Sequence, residues 1–121
     1  MGKLVDFEVS KDIAEKVYES LEAVKGSGSI RKGTNEATKA IERGLAKIVV
    51  VAEDTEPIEV VMHIPMICKE KNVPLITVPS KQELGAACGI EVSTSAVAVV
   101  DEGKGKKQIE ELIKKISELK K

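Results

Sequence analysis

The feature that most constrains the fold is a set of three short runs built almost wholly from apolar, mostly β-branched residues. The runs are KIVVVAE at 47–53, PLITVPS at 74–80 and AVAVVD at 96–101. A strand with one face in water alternates apolar and polar residues, whereas an uninterrupted apolar run is typical of a strand covered on both faces. The three runs therefore predict a sheet that is buried between two layers.

Segments with helical periodicity alternate with these runs and would supply the two covering layers. Helices are predicted at residues 11–26, 34–43, 58–72, 80–89 and 106–121, with a short strand or extended segment within residues 27–33. Ser10 and Ser80 are expected to cap helices, and Pro65 is expected to break the helix at 58–72. The pattern predicts an α/β fold: a single-domain three-layer α/β/α sandwich over residues 1–121, with a roughly four-stranded, mostly parallel or mixed sheet.

The composition is that of a folded domain outside the membrane. Apolar residues make up 42% and charged residues 32% of the 121 residues, which is typical of a globular chain. No apolar run approaches the roughly 20 residues that span a bilayer. The first residues, MGKLVDFEVSKD, lack the apolar stretch of a secretory signal. We therefore expect a cytoplasmic protein.

The residues that usually carry metal or covalent chemistry are few. Cys68 and Cys88 are expected to be reduced core residues, and with His63 as the only histidine they do not make a zinc site. Cys88 has no histidine nearby in the sequence to activate it. The segment GSIRKGT has two glycines at the spacing of a phosphate loop, but Thr34 stands where that loop requires lysine. We expect neither a metal nor a cofactor.

The charge distribution is uneven although the net charge is only −1. Residues 25–47 carry a net charge of +4, and residues 53–59 carry a net charge of −4. A local basic patch can attract phosphate even on a nearly neutral protein. Phe7 and Tyr18 are the only aromatic residues, which excludes an extended platform for stacking bases. An RNA ligand would have to be recognised through its shape, base edges and phosphates.

The segment GTNEATKAIERG at 33–44 has the residue types for such recognition. Gly33 lets another backbone approach closely, and the free amides of the first helical turn form an anion site. Asn35 offers an amide to a base edge, and Glu36 can accept from an amino or imino group. Lys39 and Arg43 continue a basic line one turn apart, where a phosphate backbone would relieve their repulsion. The alternative is a surface helix with weak ion pairs from Glu36 to Lys39 and from Lys39 to Glu42.

Two further segments leave alternatives open. The turn EDTEP follows a predicted strand, so Asp54 could bind Mg²⁺ and accept a phosphoryl group as in a receiver domain, with Lys81 after the next strand. The other reading of EDTEP is a solvated turn before a helix. In the loop GIEVSTS, Ile90 and Val92 flank Glu91, and such apolar residues either turn into the core or are held out for a partner.

Four motifs in order give the chain a resemblance to a known family. They are GTNEATKAIERG, VVVAEDTEP, HIPMICKEKNVP and PSKQELGAACG, and together they resemble the kink-turn-binding ribosomal protein family, in its archaeal large-subunit form. The family includes kink-turn proteins of eukaryotic small nucleolar and spliceosomal particles. The resemblance covers about residues 3–119. It implies an α/β/α fold and a protein without catalytic activity that recognises the kink-turn, a sharp RNA bend with tandem sheared G·A pairs.

The resemblance also implies roles for individual residues. Asn35 and Glu36 would read the guanines of the G·A pairs, Lys39 and Arg43 would contact phosphates, and the loop 90–92 would cover the flipped-out nucleotide. The pocket wall for that nucleotide would be formed by Asp54, Glu56, Val60 and Lys81. The full RNA-binding set implied in this way is Lys32, Gly33, Thr34, Asn35, Glu36, Lys39, Arg43, Asp54, Glu56, Val60, Lys81, Ile90, Glu91 and Val92.

The partners follow from the same resemblance. Members of the family act in the ribosome, in box C/D particles that guide 2′-O-methylation, in H/ACA particles that guide pseudouridylation, and in the ribonuclease P that processes tRNA. They bind kink-turns, and the archaeal form also tolerates kink-loops. We therefore expect a protein that binds such RNAs, presents a surface to ribonucleoprotein partners, and is a monomer when free.

Overall fold

The computed structural model describes residues 9–119, which form one α/β domain. The last two residues of the predicted closing helix lie outside the described residues. The helices are α1 (Lys11–Val24), α2 (Thr34–Glu42), α3 (Ile64–Lys71), α4 (Lys81–Ala87) and α5 (Lys106–Leu119). The strands are β1 (Ser29–Lys32), β2 (Ile48–Ala52), β3 (Leu75–Val78) and β4 (Ala96–Asp101). Single turns of 3₁₀ helix lie at Ile58–Val60 and Gly103–Gly105.

The four strands form one sheet in the order β1-β4-β2-β3. Strands β2 and β3 are parallel, whereas β4 is antiparallel to both β1 and β2. The prediction of a mixed sheet is confirmed, and the mostly parallel alternative is wrong. The reason lies between β3 and β4: the chain after α4 folds back until the Thr94 N–H donates to the Lys81 carbonyl, 3.1 Å away. Strand β4 therefore starts at the end of the sheet where β3 stops.

The sheet is covered on both faces, which confirms the three-layer sandwich. Ile48, Val50 and Ala52 of β2 pack in one cluster with α1, α4 and α5. Val49 and Val51 pack in a second cluster with α2 and α3. Every residue of β2 is buried, so its apolar run is explained by burial of both faces.

Helix α3 shows how the chain accommodates Pro65. The predicted interruption of the segment 58–72 is found at residues 61–63, and Pro65 lies just after it, in the first turn of α3, which begins at Ile64. A proline in the first turn loses nothing, because the N–H that it lacks would have had no partner within the helix. The segment before it is the 3₁₀ turn Ile58–Val60 and a further turn.

The two cysteines are core residues, as the sequence predicts. Cys68 is buried in the cluster under α3 and Cys88 in the cluster on the other face, and no disulfide joins them. Burial raises the pKa of the Cys88 thiol to about 11, although the positive charges of Lys32 and Lys25 oppose the shift. At neutral pH this thiol is protonated and therefore a poor nucleophile.

Candidate nucleic-acid interface

The direction of β4 brings most of the predicted site residues to one end of the sheet. Strands β1, β2 and β3 run the same way, so their carboxyl ends meet the amino end of β4 there. The Gly33 N–H donates to the Ala96 carbonyl at 2.8 Å, and the Ala52 N–H donates to the Ser95 carbonyl at 2.8 Å. The start of α2, the turn after β2 and the loop before β4 are thus neighbours, joined by backbone hydrogen bonds.

Helix α2 starts abruptly at Gly33 because this residue has φ 102° and ψ 153°. A left-handed φ of this kind is accessible to glycine and costs other residues energy. Nothing lies within 4 Å of the position that a Cβ would take at Gly33. Within the described chain the glycine is therefore required by its backbone angles, and the close approach of a ligand backbone to Gly33 stays a prediction. The first-turn amides of residues 34–36 have no acceptor within the helix.

The outer face of α2 is polar and open to solvent. Asn35, Glu36, Lys39 and Arg43 are all exposed, while Ala37, Ala40 and Ile41 pack into the core. Lys39 and Glu36 form the expected ion pair, with 3.7 Å between Nζ and Oε2, and both side chains are about half exposed. An exposed pair of this kind contributes roughly 0–1 kcal/mol, so a ligand can separate it at little cost.

A contact that sequence reasoning missed joins α2 to the segment before α3. The Thr38 hydroxyl lies 2.8 Å from the Thr34 carbonyl and 2.8 Å from His63 Nε2. Because the hydroxyl has a single hydrogen and the carbonyl can only accept, His63 Nε2 carries a proton and donates to Thr38. The bond therefore ties the turn at residues 61–63, which follows Val60, to α2. In the sequence the only sign of this contact is that Thr38 follows Thr34 by four residues. That spacing does not indicate a partner 25 residues away.

Asp54 and Lys81 come together, but through the backbone. The Lys81 N–H donates to Asp54 Oδ1 at 2.8 Å, and the Ser80 hydroxyl accepts from the Glu83 N–H at 3.1 Å. Asp54 and Ser80 thus share the capping of α4, and Ser80 has the role that its position predicts. The carboxylate holds the turn after β2 beside the first turn of α4.

The receiver-like alternative has no support. Receiver domains have an all-parallel doubly wound sheet, whereas two of the three strand pairings here are antiparallel. Within residues 9–119 no cluster of three or more histidine, cysteine or acidic side chains could hold a metal ion. No helix in the same range is long and apolar enough to cross a membrane.

The loop that follows α4 carries one partly buried and one exposed apolar residue, and a partner for the exposed one stays a prediction. Ile90 is half-buried, whereas Val92 is 69% exposed and Glu91 is also exposed. Lys32 is exposed at the end of β1, and its charge acts on Cys88 at the turn that leads into this loop. A basic side chain thus stands near the base of an exposed apolar loop.

The remaining predicted residues extend the surface beyond the end of β2. Glu56 is exposed in the turn after Asp54, and Val60 is 43% exposed in the 3₁₀ turn. Thr34 is half-buried in the first turn of α2. All predicted site residues lie on α2, at this end of the sheet, or in the segment that His63 ties to α2.

The fold and this surface define a small α/β binding module. Its open, polar and basic helix face lies beside a loop with an exposed valine. The chain belongs to the ribosomal protein L7Ae/L30e/S12e/Gadd45 family, whose profile matches residues 15–109. Membership of this family confirms the prediction that the chain is not an enzyme.

A solved structure with the same fold covers almost the whole chain. It is the 15.5 kDa RNA-binding protein of Giardia lamblia, with a TM-score of 0.87 and 29% sequence identity. The match covers 98% of this chain and 99% of that protein. The α/β sandwich predicted from the sequence is therefore the fold of a known RNA-binding protein.

Proposed function

We propose that this protein binds RNA, and specifically that it recognises kink-turn and kink-loop motifs, stabilises their bend and nucleates ribonucleoprotein assembly. The observation that carries the proposal is the convergence at one end of the sheet. There backbone hydrogen bonds join the start of α2, the turn after β2 and the end of the loop that carries Val92. Membership of the ribosomal family and the likeness to an RNA-binding protein support it.

The proposed mechanism assigns each element a separate part of the recognition. Asn35 and Glu36 would read the exposed edges of the guanines in the sheared pairs, because an amide and a carboxylate offer complementary donors and acceptors. Lys39 and Arg43 would contact phosphates on either side of the bend. The exposed Val92 would cover the extruded base, which has a large apolar face to bury.

The ion pair between Glu36 and Lys39 has a part in this mechanism. In the free protein each side chain partly neutralises the other. When RNA binds, Glu36 would turn to the guanines and Lys39 to a phosphate, so both charges gain new partners. Because the exposed pair contributes only about 0–1 kcal/mol, its opening would cost less than a good base contact of about 1–3 kcal/mol provides.

The assemblies in which this activity would serve are also part of the proposal. Kink-turns of ribosomal RNA, of box C/D and H/ACA guide RNAs and of ribonuclease P RNA are the targets that the family resemblance implies. The protein would act in the cytoplasm as a non-catalytic subunit, binding RNA as a monomer and then contacting partner proteins.

A titration with two RNAs tests the proposal. One RNA carries a kink-turn, and the other is identical except that its tandem G·A pairs are changed to Watson–Crick pairs. We expect tight binding to the first alone, measured by gel shift at a fixed salt concentration, because only the kink-turn offers sheared guanine edges and an extruded base. Equal, weak and salt-sensitive binding to both RNAs would show that the helix is a general basic patch and would refute kink-turn recognition.

A further inference from the structure

The exposed loop after α4 does not stand free; it lies back along the helix from which it emerges. Gly89, with φ 84°, turns the chain, and the Ile90 N–H donates to the Gly85 carbonyl at 3.1 Å. Four residues later the Thr94 N–H donates to the Lys81 carbonyl, also at 3.1 Å. The loop is therefore held at both ends by the backbone of α4, at Gly85 and at Lys81.

Between these two anchors the loop backbone presses directly on Gly85. A Cβ added to Gly85 would overlap the Val92 carbonyl oxygen and would lie 3.2 Å from the Val92 carbonyl carbon and 3.3 Å from Ser93 Cα. All three are backbone atoms, so they cannot give way without movement of the loop. The φ of Gly85 is that of an ordinary helical residue, so the glycine is required for space and not for its backbone angles.

Helix propensity makes the choice of glycine at this position informative. Glycine is unfavourable in the interior of a helix, and alanine is the best helix former. The next two positions of α4, 86 and 87, are alanine. A glycine at position 85 therefore sacrifices helix stability for the close approach of the loop.

The close approach fixes where the Val92 side chain stands. The Val92 carbonyl is against α4, while the residue as a whole is 69% exposed. Its backbone is thus held on the protein and its isopropyl group projects into solvent. Any group that lifts the loop from Gly85 also moves this isopropyl group, because Val92 lies midway between the two hydrogen-bonded residues, Ile90 and Thr94.

We propose that Gly85 is a positioning residue for nucleotide recognition: its contact with the Val92 carbonyl sets the distance between the covering side chain and the rest of the site. The inference rests on the proposed function. In it, Gly85 does not itself contact RNA, but it determines how wide the space for the extruded base is. A side chain at position 85 pushes Val92 away from its place and weakens the contact with that base.

The test separates base contact from overall binding by means of two kink-turn RNAs. One has its extruded nucleotide intact, and the other is abasic at that position alone. The ratio of the two dissociation constants measures what the base contributes, and burial of one valine side chain predicts a ratio of about tenfold for the natural protein. A variant that is only less stable but still folded lowers both affinities together and leaves the ratio unchanged.

We expect Gly85→Ala to reduce this ratio toward one, with thermal denaturation used to choose a temperature at which the variant is folded. Gly26→Ala is the matched control, because Gly26 has ordinary backbone angles and nothing within 4 Å of its Cβ position. It should keep the tenfold ratio. Val92→Ala should lower the ratio as Gly85→Ala does, and the double variant should lower it no further, because both changes remove the same contact.

Two results would overturn the proposal. One is a folded Gly85→Ala variant with the natural ratio. The other is an unchanged ratio for Val92→Ala, which decides the question even when Gly85→Ala does not fold, since Val92 is exposed and its truncation spares the core. Failure of the natural protein to distinguish the kink-turn from its Watson–Crick counterpart would instead refute the proposed function, and the positioning role with it.

Discussion

Replacement of Glu36 by glutamine tests the proposed contact with guanine bases, because the two explanations of α2 predict opposite changes in RNA affinity. The substitution keeps the shape of the side chain but removes one negative charge from a surface that would face RNA. If α2 were only a basic patch, loss of a carboxylate and release of Lys39 from its 3.7 Å ion pair would strengthen RNA binding. If Glu36 accepts hydrogen bonds from guanines, the same substitution weakens binding to the kink-turn.

The expected loss of RNA affinity can be separated from any effect of the substitution on the stability of the fold. The Glu36 side chain is half exposed, so the fold loses only a surface ion pair and a favourable carboxylate in the first turn of α2. These contribute about 1 kcal/mol together, equivalent to a shift of about 3–5 °C in Tm. The lost base contact is worth about 1–3 kcal/mol, which is roughly 5-fold to 150-fold in Kd.

The assay compares Glu36→Gln with Glu42→Gln on both test RNAs. Glu42 is exposed on the same helix and loses the same charge, but it lies at the last turn, away from the proposed guanine site. We expect Glu36→Gln to weaken kink-turn binding while binding to the Watson–Crick RNA stays level or improves. Glu42→Gln should not weaken either complex. Tighter kink-turn binding by both variants would refute the base-reading role of Glu36.

Three further predictions concern the same surface and the core beneath it. Lys39→Ala should weaken kink-turn binding and lower the slope of log K against log salt by about one, measured between two salt concentrations; an unchanged slope would contradict a phosphate contact. Thr38→Val should cost about 1–2 kcal/mol in urea unfolding, because it leaves the half-buried His63 donor without its acceptor; equal stability would show that the bond contributes nothing. Burial raises the pKa of Cys88 from 9.0 to about 11, so the folded state favours the neutral thiol. Its contribution of about 3 kcal/mol is present below pH 9 and is lost as the pH rises through 11. Cys88→Ala should flatten this alkaline loss of stability, and a curve that stays as steep would assign the loss to other groups.

The elements of this fold that are decided locally could be predicted from the sequence. Strand β4 occupies the residues of the run AVAVVD at 96–101, because burial on both faces leaves an unmistakable pattern. Ser10 and Ser80 cap α1 and α4 with hydrogen bonds to Ile13 and Glu83, three residues on. The exposed face of α2 could also be predicted, since helical spacing alone decides which of its side chains point outward.

What could not be predicted depends on contacts between distant segments. The role of Pro65 depends on where α3 begins. From the sequence alone, a proline in the first turn of a helix cannot be distinguished from a proline that interrupts one. Thr38 and His63 meet only because α2 and α3 pack together. Whether Ile90 or Val92 faces outward is decided by the way the loop lies on Gly85, and nothing in the sequence of the loop itself specifies this.

The direction of β4 was also hidden from local patterns, and it has the largest consequence for the site. A parallel β4 would begin at the opposite end of the sheet, about 20 Å away for a strand of six residues. The end of the loop with Val92 would then lie far from the first turn of α2. The reversal is achieved by seven residues of helix and a loop that folds back upon them. The loop that packs on α4 at Gly85 is thus the segment that returns the chain to the end of the sheet where α2 begins.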